Sequence, residues 1–181
     1  MKKYLVFFIA AFISAAAYSQ NVPGNQQSEP PKHAESKLNL GFGIGLDYGG
    51  IGGRLAFSPD KHIDIFGGAG YNFLGAGFNA GLAYKFLPES FICPYISAMY
   101  GYNGVIKVTN AAEYNQTYYG PSFSIGGQFW SHRMPGFFNL ELVIPVRSSE
   151  MHDDYNKLKN LGASMSALLP VAFSVGFHFL F

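Results

Sequence analysis

Three residues in the second half of the chain have the side chains of a hydrolytic triad: Glu141, Ser174 and His178. In such a triad a histidine base lies within hydrogen-bond distance of the nucleophile, and a third group orients the base. The alternating pattern of residues 171–181 predicts a strand, with Ser174 and His178 four residues apart on one face. At the rise of a strand that separation is about 13 Å, so the two side chains cannot bond directly. We therefore predict that the chain is not an enzyme and has no catalytic residues.

Seven charged or titratable residues fall on positions that the same alternation assigns to the polar faces of strands: Asp47, Arg54, Asp64, Lys85, Glu141, Arg147 and His178. We expect Arg54 to reach Asp47 across a tight turn, and Glu141 to meet Arg54 or Arg147. Asp64 and Lys85 are expected near the ends of adjacent strands. Buried charges need partners, so these residues predict a polar packing network inside the fold. The alternative is a gate for small solutes or ions.

A loop over residues 148–169 carries a further set of potential ligands: Glu150, His152, Asp153 and Asp154. Their spacing matches no metal-binding template. We expect a solvated loop, with a helical turn from Ser149 to Leu161. The glycine-rich runs at 41–45 and 49–53 are followed neither by Lys-Ser/Thr nor by the start of a helix, as a phosphate-binding loop requires. The sequence therefore predicts no metal and no cofactor.

Residues 1–19 have the features of a secretory signal peptide. Two lysines precede an apolar run from Tyr4 to Ala17, and small residues stand before Gln20, where we expect cleavage. The apolar run is shorter than the roughly 20 residues of a spanning helix. Residues 20–37 are polar and contain three prolines, which is typical of a disordered segment, here expected in the periplasm. Residues 38–181 remain as one domain.

The composition indicates a surface that is poor in solubilising side chains. Charged residues make up 13% of the chain, against about 25% in a typical soluble domain. Glycine (22), phenylalanine (18) and tyrosine (12) are abundant, and the net charge is +1. That charge gives no electrostatic reason to expect a nucleic-acid partner. Abundant aromatics, few charges and the lack of a long apolar run beyond the signal indicate strands that face lipid.

Apolar residues alternate with small or polar residues from Leu38 to the last position, which is the pattern of half-buried strands. In the first segment the even positions, from Leu38 to Tyr48, are apolar, and the odd positions are glycine, asparagine or aspartate. Residues typical of turns separate the segments. The pattern predicts eight strands, at 38–48, 51–58, 63–73, 76–86, 91–105, 118–130, 138–147 and 171–181.

These segments predict an all-β fold, an eight-stranded antiparallel up-and-down transmembrane β-barrel. Most have the roughly 9–11 residues that a tilted strand needs to cross a bilayer, and an open sheet edge in lipid would leave amides unpaired. Side chains fill the interior of an eight-stranded barrel, so the small and polar face is expected inside. The alternation puts Leu46 and Tyr102 on the lipid-facing side. Aromatic girdles are expected at the residues near the segment ends: Tyr48, Tyr71, Tyr84, Tyr100 and Phe181.

The last segment, Pro170 to Phe181, alternates aromatics and ends on phenylalanine. It resembles the terminal strand of bacterial outer-membrane barrels, which the barrel-assembly machinery recognises in that family. Residues 94–103 resemble a strand of the small OmpA/OmpX-like barrel group, and Ala17 to Gln20 resembles the end of Bacteroidetes signal peptides. The resemblance covers residues 38–181 and implies a Gram-negative outer-membrane location after secretion. It also implies an assembly signal formed by Phe177, Phe179 and Phe181.

The expected function is that of an integral outer-membrane protein with a structural, adhesive or surface-interaction role and no catalysis of its own. The alternatives are a narrow, porin-like pore for small solutes or ions and a lipid-modifying barrel enzyme. A soluble lipocalin-like barrel would need the opposite alternation. Expected partners are outer-membrane lipids and, during biogenesis, the barrel-assembly machinery and periplasmic chaperones. An extracellular ligand would meet the loops at 106–117 and 148–169.

Overall fold

The computed structural model describes residues 37–106, 115–131, 133–160 and 168–181. The expected signal peptide at 1–19 and nearly all of the expected N-terminal segment at 20–37 lie outside the described residues. Parts of the two longest connections between strands also lie outside them.

The described residues form eight antiparallel strands that close into a barrel, in which β8 pairs with β1. The strands are β1 (Leu38–Gly45), β2 (Gly50–Asp60), β3 (Ile63–Tyr71), β4 (Ala76–Lys85), β5 (Ile92–Ile106), β6 (Gln116–Trp130), β7 (Gly136–Pro145) and β8 (Ala172–Leu180). Each pairs with its neighbours in sequence. The prediction of an eight-stranded up-and-down barrel is confirmed, while its crossing of a membrane stays a prediction.

The two faces of the barrel wall differ sharply in polarity. Successive residues of a strand point to opposite faces, and the outer face carries large apolar side chains on every strand, such as Leu82, Phe123 and Phe173. The inner face carries glycine, serine, asparagine and the charged residues, most of them buried. The predicted assignment of the two faces is therefore confirmed for most positions, and Leu46, Tyr48 and Tyr102 are exceptions. Among the described residues, no helix is both long enough and apolar enough to cross a membrane.

The two ends of the barrel are built differently. The end at which β1 begins and β8 ends, here called the terminus end, also has the β2–β3, β4–β5 and β6–β7 turns. The other connections lie at the opposite, loop end. At the terminus end Lys61 donates to Glu89 at 2.9 Å and joins two neighbouring turns. This hydrogen bond lowers the pKa of Glu89 and raises the pKa of Lys61.

At the loop end β5 and β6 extend beyond their neighbours, since each has 15 residues. Helix α1 (Ser149–Asn160), in the β7–β8 connection, packs on this extension. The contact is a small hydrophobic cluster that is separate from the barrel interior, formed by Ile106, Tyr118, Met151 and Leu158. The predicted helical turn is therefore confirmed over Ser149–Asn160, as a helix of three turns, and Leu161 lies outside the described residues.

Local sequence explains where α1 begins and ends. The hydroxyl of Ser148 accepts a 3.3 Å hydrogen bond from the amide of Met151, which satisfies one of the free amides of the first turn. Glu150 lies in the first turn and Lys157 and Lys159 in the last, which complements the helix dipole. Met151 and Leu158 form the buried side of the helix.

One inner position departs from the predicted alternation. Tyr102 was expected on the outer face, but it is buried, as is the next residue, Asn103. The cause is an irregularity of the β5–β6 register between Tyr102 and Gly104, where one extra residue of β5 is inserted. A β-bulge of this kind turns a side chain away from the face that alternation assigns to it.

Candidate functional site

The centre of the lumen holds an ionic cluster around Arg54. Its Nη1 donates to Asp47 Oδ2 at 2.8 Å and to Glu141 Oε1 at 2.6 Å, and all three side chains are buried. The guanidinium also lies over the ring of Phe66, with 3.8 Å between its carbon and the ring centroid. The structure therefore brings together three of the predicted site residues. Arg54 of β2 and Glu141 of β7 come from strands that do not pair with each other.

The ionic cluster carries one more carboxylate than cations. Glu141 Oε1 accepts hydrogen bonds from Arg54, from the hydroxyl of Tyr95 and from the amide of Asn139. Asp47 Oδ1, Glu141 Oε2 and Arg54 Nε have no hydrogen-bond partner among the described residues. Arg54 alone therefore balances two buried carboxyl groups, and part of their hydrogen-bonding capacity is unused.

Asp64 and Lys85 form a second ion pair near the terminus end. Lys85 Nζ donates to Asp64 Oδ1 at 2.7 Å, and the hydroxyl of Ser58 donates to the same oxygen at 2.5 Å. The pair joins adjacent strands β3 and β4, as the alternation predicted. In this pair one cation balances one carboxylate, unlike in the cluster around Arg54.

His178 uses both ring nitrogens in hydrogen bonds. Nδ1 lies 2.7 Å from Asn39 Oδ1, and Nε2 lies 2.7 Å from the hydroxyl of Tyr48. With the carbonyl oxygen of Asn39 as acceptor, Nδ1 carries the proton and Nε2 accepts from Tyr48. The imidazole stacks on Phe137 at 4.7 Å, and Phe137 contacts Trp130. These rings form a layer across the lumen.

The hydrolytic arrangement is not assembled. Ser174 is buried, and its hydroxyl has no hydrogen-bond partner among the described residues. His178, the base that a triad would need, bonds Tyr48 and Asn39 instead. Ser174 is the cross-strand neighbour of Glu141, but no base lies between them in the hydrogen bonds that the structure contains for the described residues.

The placement of Arg147 in the lumen network stays a prediction. Strand β7 ends at Pro145, and Arg147 follows two residues later and is half-buried. Within the described part of the chain it forms no ion pair, and Glu141 pairs with Arg54 instead. Partial burial lowers the pKa of Arg147.

The β1–β2 connection, residues 46–49, folds into the lumen, and we call it the inner turn. Leu46, Asp47, Tyr48 and Gly49 are all buried, with none of the Tyr48 surface exposed. Leu46 and Tyr48 were predicted on the lipid-facing side, and both predictions are wrong. Strand β1 ends at Gly45, and positive φ angles at Gly45 (151°) and Gly49 (69°) redirect the chain inward.

Glycines on five strands make room for the inner turn. A Cβ on any of them would collide with an atom of the turn: on Gly68 with the carbonyl oxygen of Asp47, and on Gly77 with that of Gly49. We call this set the glycine socket: Gly43, Gly52, Gly68, Gly70, Gly77 and Gly176. The alternation predicted these glycines only as small residues of the inner face. Their concentration on β1–β4 was the signal of a segment that lies against the inner wall.

Comparison with protein-family models, with curated protein sequences and with solved structures finds no significant match for this chain. The geometry of the site therefore carries the functional argument.

Three hydrogen bonds hold the inner turn in the lumen. Asp47 bonds Arg54, Tyr48 bonds His178, and the side-chain amide of Asn79 donates to the carbonyl oxygen of Leu46. Below the turn, the ionic cluster and the aromatic layer of Trp130, Phe137 and His178 follow in succession. Among the described residues no group of three or more His, Cys, Asp or Glu side chains is arranged to hold a metal ion. The arrangement is that of a packed interior.

Proposed function

We propose that the protein is an integral outer-membrane β-barrel that acts through its loop end, in a structural, adhesive or surface-interaction role, without a reaction of its own. The observation that carries the proposal is the polarity of the wall. Large apolar side chains cover the outer face of every strand, and Phe173 is 73% exposed. Soluble monomers rarely expose contiguous apolar patches above a few hundred Å², whereas a barrel in lipid requires such a band.

Aromatic pairs at both rims support the proposed membrane position. Tyr71 and Phe73 lie together at the loop end, with ring centroids 6.4 Å apart, and Tyr84 and Phe86 lie together at the terminus end, 5.3 Å apart. Tyrosine and phenylalanine rings concentrate at the two surfaces of a bilayer. The aromatic alternation of β8 up to Phe181, which resembles the terminal strand of outer-membrane barrels, supports membership of the OmpA/OmpX-like group.

The loop end offers a shaped surface for contact with other molecules. Helix α1 is fixed on the β5–β6 extension by its hydrophobic cluster and by a 2.7 Å hydrogen bond from Tyr118 to Asp154. Its opposite side carries exposed polar and charged residues, including His152, Asp153 and Lys157. A rigid support with polar side chains beyond the barrel rim favours a surface-interaction role over a transport role.

The packed lumen argues against the two alternative functions. A narrow pore needs a continuous path, but the inner turn, the ionic cluster and the aromatic layer occupy successive levels of the interior. A lipid-modifying enzyme needs an accessible nucleophile with a base beside it, but Ser174 is buried and His178 bonds Tyr48 and Asn39 instead. No observation favours the pore or the enzyme over the surface role.

The proposal is tested by refolding the chain without residues 1–19 in detergent and comparing its mobility on gels with and without boiling. The same preparation is then mixed with lipid vesicles and examined for conductance in a planar bilayer. We expect a heat-dependent mobility shift, stable insertion into vesicles and no conductance. Discrete conductance steps would favour the pore, and a folded protein that stays soluble without detergent would contradict the membrane position.

A further inference from the structure

Two connections at the loop end are both four residues long, but only one of them folds into the lumen. The inner turn joins the paired residues Gly45 and Gly50, and residues 72–75 join the paired residues Tyr71 and Ala76. In the second turn the side chain of Asn72 accepts from the amides of Leu74 and Gly75, and Phe73 is 60% exposed. Four residues can therefore connect strands at this rim without entering the lumen.

We propose that the inner turn is a plug, which fills a glycine-walled vestibule that would otherwise open at the loop end. Six inner positions of β1–β4 and β8 near the loop end are glycine and carry no side chain. In an eight-stranded barrel side chains normally fill the interior, so a wall of glycine leaves a space that something else must occupy. The inner turn occupies it: a Cβ on Gly68 or Gly77 would meet only atoms of the turn, and a Cβ on each of the other four would meet Tyr48 as well as neighbouring strands.

The vestibule is blind, because the levels below it are also held by contacts outside the inner turn: His178 loses Tyr48 but keeps Asn39 and Phe137. Glu141 Oε1 accepts hydrogen bonds from Arg54, Tyr95 and Asn139, none of which belongs to the inner turn. The stacked rings of Phe137 and His178 lie still closer to the terminus end. Removing the plug therefore exposes a cavity that opens at one end only, and the barrel stays closed to ions.

The charges that stay in the lumen remain balanced when the plug leaves it. With the inner turn in place, Arg54 faces both Asp47 and Glu141. Without it, Asp47 would move into water and leave Arg54 and Glu141 as a balanced pair. Of the Asp47 carboxylate, Oδ2 accepts from Arg54, whereas Oδ1 has no hydrogen-bond partner among the described residues. The inner turn therefore gives up one ion pair when it leaves the lumen.

The test uses a thiol reporter behind the plug. Cys93 is first replaced by alanine, and Ser174→Cys then places a thiol of similar size at a buried position whose side chain lies against Gly45. Residues 46–49 are replaced by Asn-Gly, a two-residue hairpin turn that stays outside the barrel. A small charged methanethiosulfonate is added to the folded protein in detergent. We expect no labelling with the natural turn and rapid labelling with the short turn.

The control is the same Asn-Gly replacement of residues 72–75, which leaves the plug in place and should leave the thiol unlabelled. Labelling of the natural-turn barrel, or no labelling of the folded short-turn barrel, would overturn the proposal. Conductance of the short-turn barrel would overturn the inference that the vestibule is closed at its lower end. All of these outcomes are independent of vesicle insertion, so failure of the proposed membrane function is distinguishable from failure of the plug.

A second measurement does not require the short-turn barrel to fold. Gly68→Ala adds a methyl group whose close contacts are all with Asp47 and Tyr48, whereas Gly67→Ala adds one on the outer face with only an ordinary contact. With the natural turn, we expect Gly68→Ala to lower the urea midpoint and Gly67→Ala to leave it unchanged. Equal effects of the two changes would contradict the socket. In a folded short-turn barrel, Gly68→Ala should become neutral.

Discussion

The hydroxyl of Tyr48 and Nε2 of His178 lie 2.7 Å apart, in a buried hydrogen bond between the β1–β2 connection and the last strand. The two residues are 130 positions apart in sequence. His178 in turn bonds Asn39 of the first strand, so this contact joins the inner turn to the seam where the barrel closes. The packing of the inner turn and the closure of the barrel are therefore coupled.

Tyr48→Phe should destabilise the barrel although it preserves the ring. The change removes the donor to His178 Nε2 and leaves a buried acceptor unsatisfied, which typically costs about 1–3 kcal/mol. The measurement is the urea midpoint of the refolded protein, followed by the loss of the fast-migrating unboiled band. Tyr100→Phe is the matched control, because Tyr100 is exposed on the outer face. Identical midpoints for the two variants would contradict the role given to the Tyr48 hydroxyl.

Arg54→Met should be the most destabilising single change in the lumen. It leaves the buried carboxyl groups of Asp47 and Glu141 without a cation, and breaking a buried ion pair from one side typically costs about 3–5 kcal/mol. Chemical unfolding in detergent gives the free-energy difference from the parent barrel.

A second-site change distinguishes loss of charge balance from loss of packing. Asp47→Asn alone should change stability by less than about 1 kcal/mol, because Arg54 retains Glu141 and an amide oxygen still accepts its hydrogen bond. Added to Arg54→Met, the same change should restore part of the lost stability, since it removes one of the two uncompensated carboxyl groups. Strict additivity of the two changes would show that charge balance does not hold the cluster together.

The sequence was sufficient for the strands and for most of their orientations. Alternation is a local property, and it correctly assigned Asp64 and Lys85 to one face of adjacent strands and Phe123 to the other. The bulge at Tyr102 was not predictable in this way, because an inserted residue reverses the alternation without a change in composition.

The inner turn was missed for a different reason. Alternation continues through Leu46 and Tyr48, so the first strand appeared to extend to Tyr48 and to face lipid with both residues. What ends the strand is backbone conformation at Gly45 and Gly49, together with space that glycines on four other strands provide. Neither can be read from a single segment, because the vacant volume is created by residues distant in sequence.

Leu158→Ala should release helix α1 and leave the barrel intact. Leu158 is buried in the cluster between α1 and the β5–β6 extension, which is separate from the lumen cluster. Truncating a buried leucine typically costs about 2–5 kcal/mol, enough to open a small local unit. Hydrogen exchange should accelerate across residues 149–160 and stay unchanged in β1–β4. His152→Ala, on the exposed side of the helix, is the control, and faster exchange throughout the barrel would argue against a separate unit.

A lysine on the outer wall should oppose membrane insertion according to its depth. Leu82 lies near the middle of β4 and faces outward, so Leu82→Lys should cost about 2–4 kcal/mol in a bilayer. Phe73 lies at the rim, where Phe73→Lys should cost only about 0–1 kcal/mol. The two are compared by the fraction that folds into vesicles across a urea series. Equal folding of both variants would contradict a lipid-facing wall.

Deletion of Phe181 should impair assembly in cells more than refolding in detergent. The amide of Phe181 donates to the carbonyl oxygen of Leu38 at 2.9 Å, which extends the β1–β8 pairing by one bond at the terminus end. A net contribution of about 0.5–1.5 kcal/mol is too small to prevent folding in detergent. A terminal aromatic that is read during assembly, as the resemblance of β8 implies, would by contrast reduce the amount inserted. Phe173→Ala is the control, since Phe173 lies on the same outer face of β8 and is also exposed. Normal insertion of the Phe181 deletion in cells would argue against an assembly signal, and equal losses from both variants would indicate a general need for apolar surface on this strand.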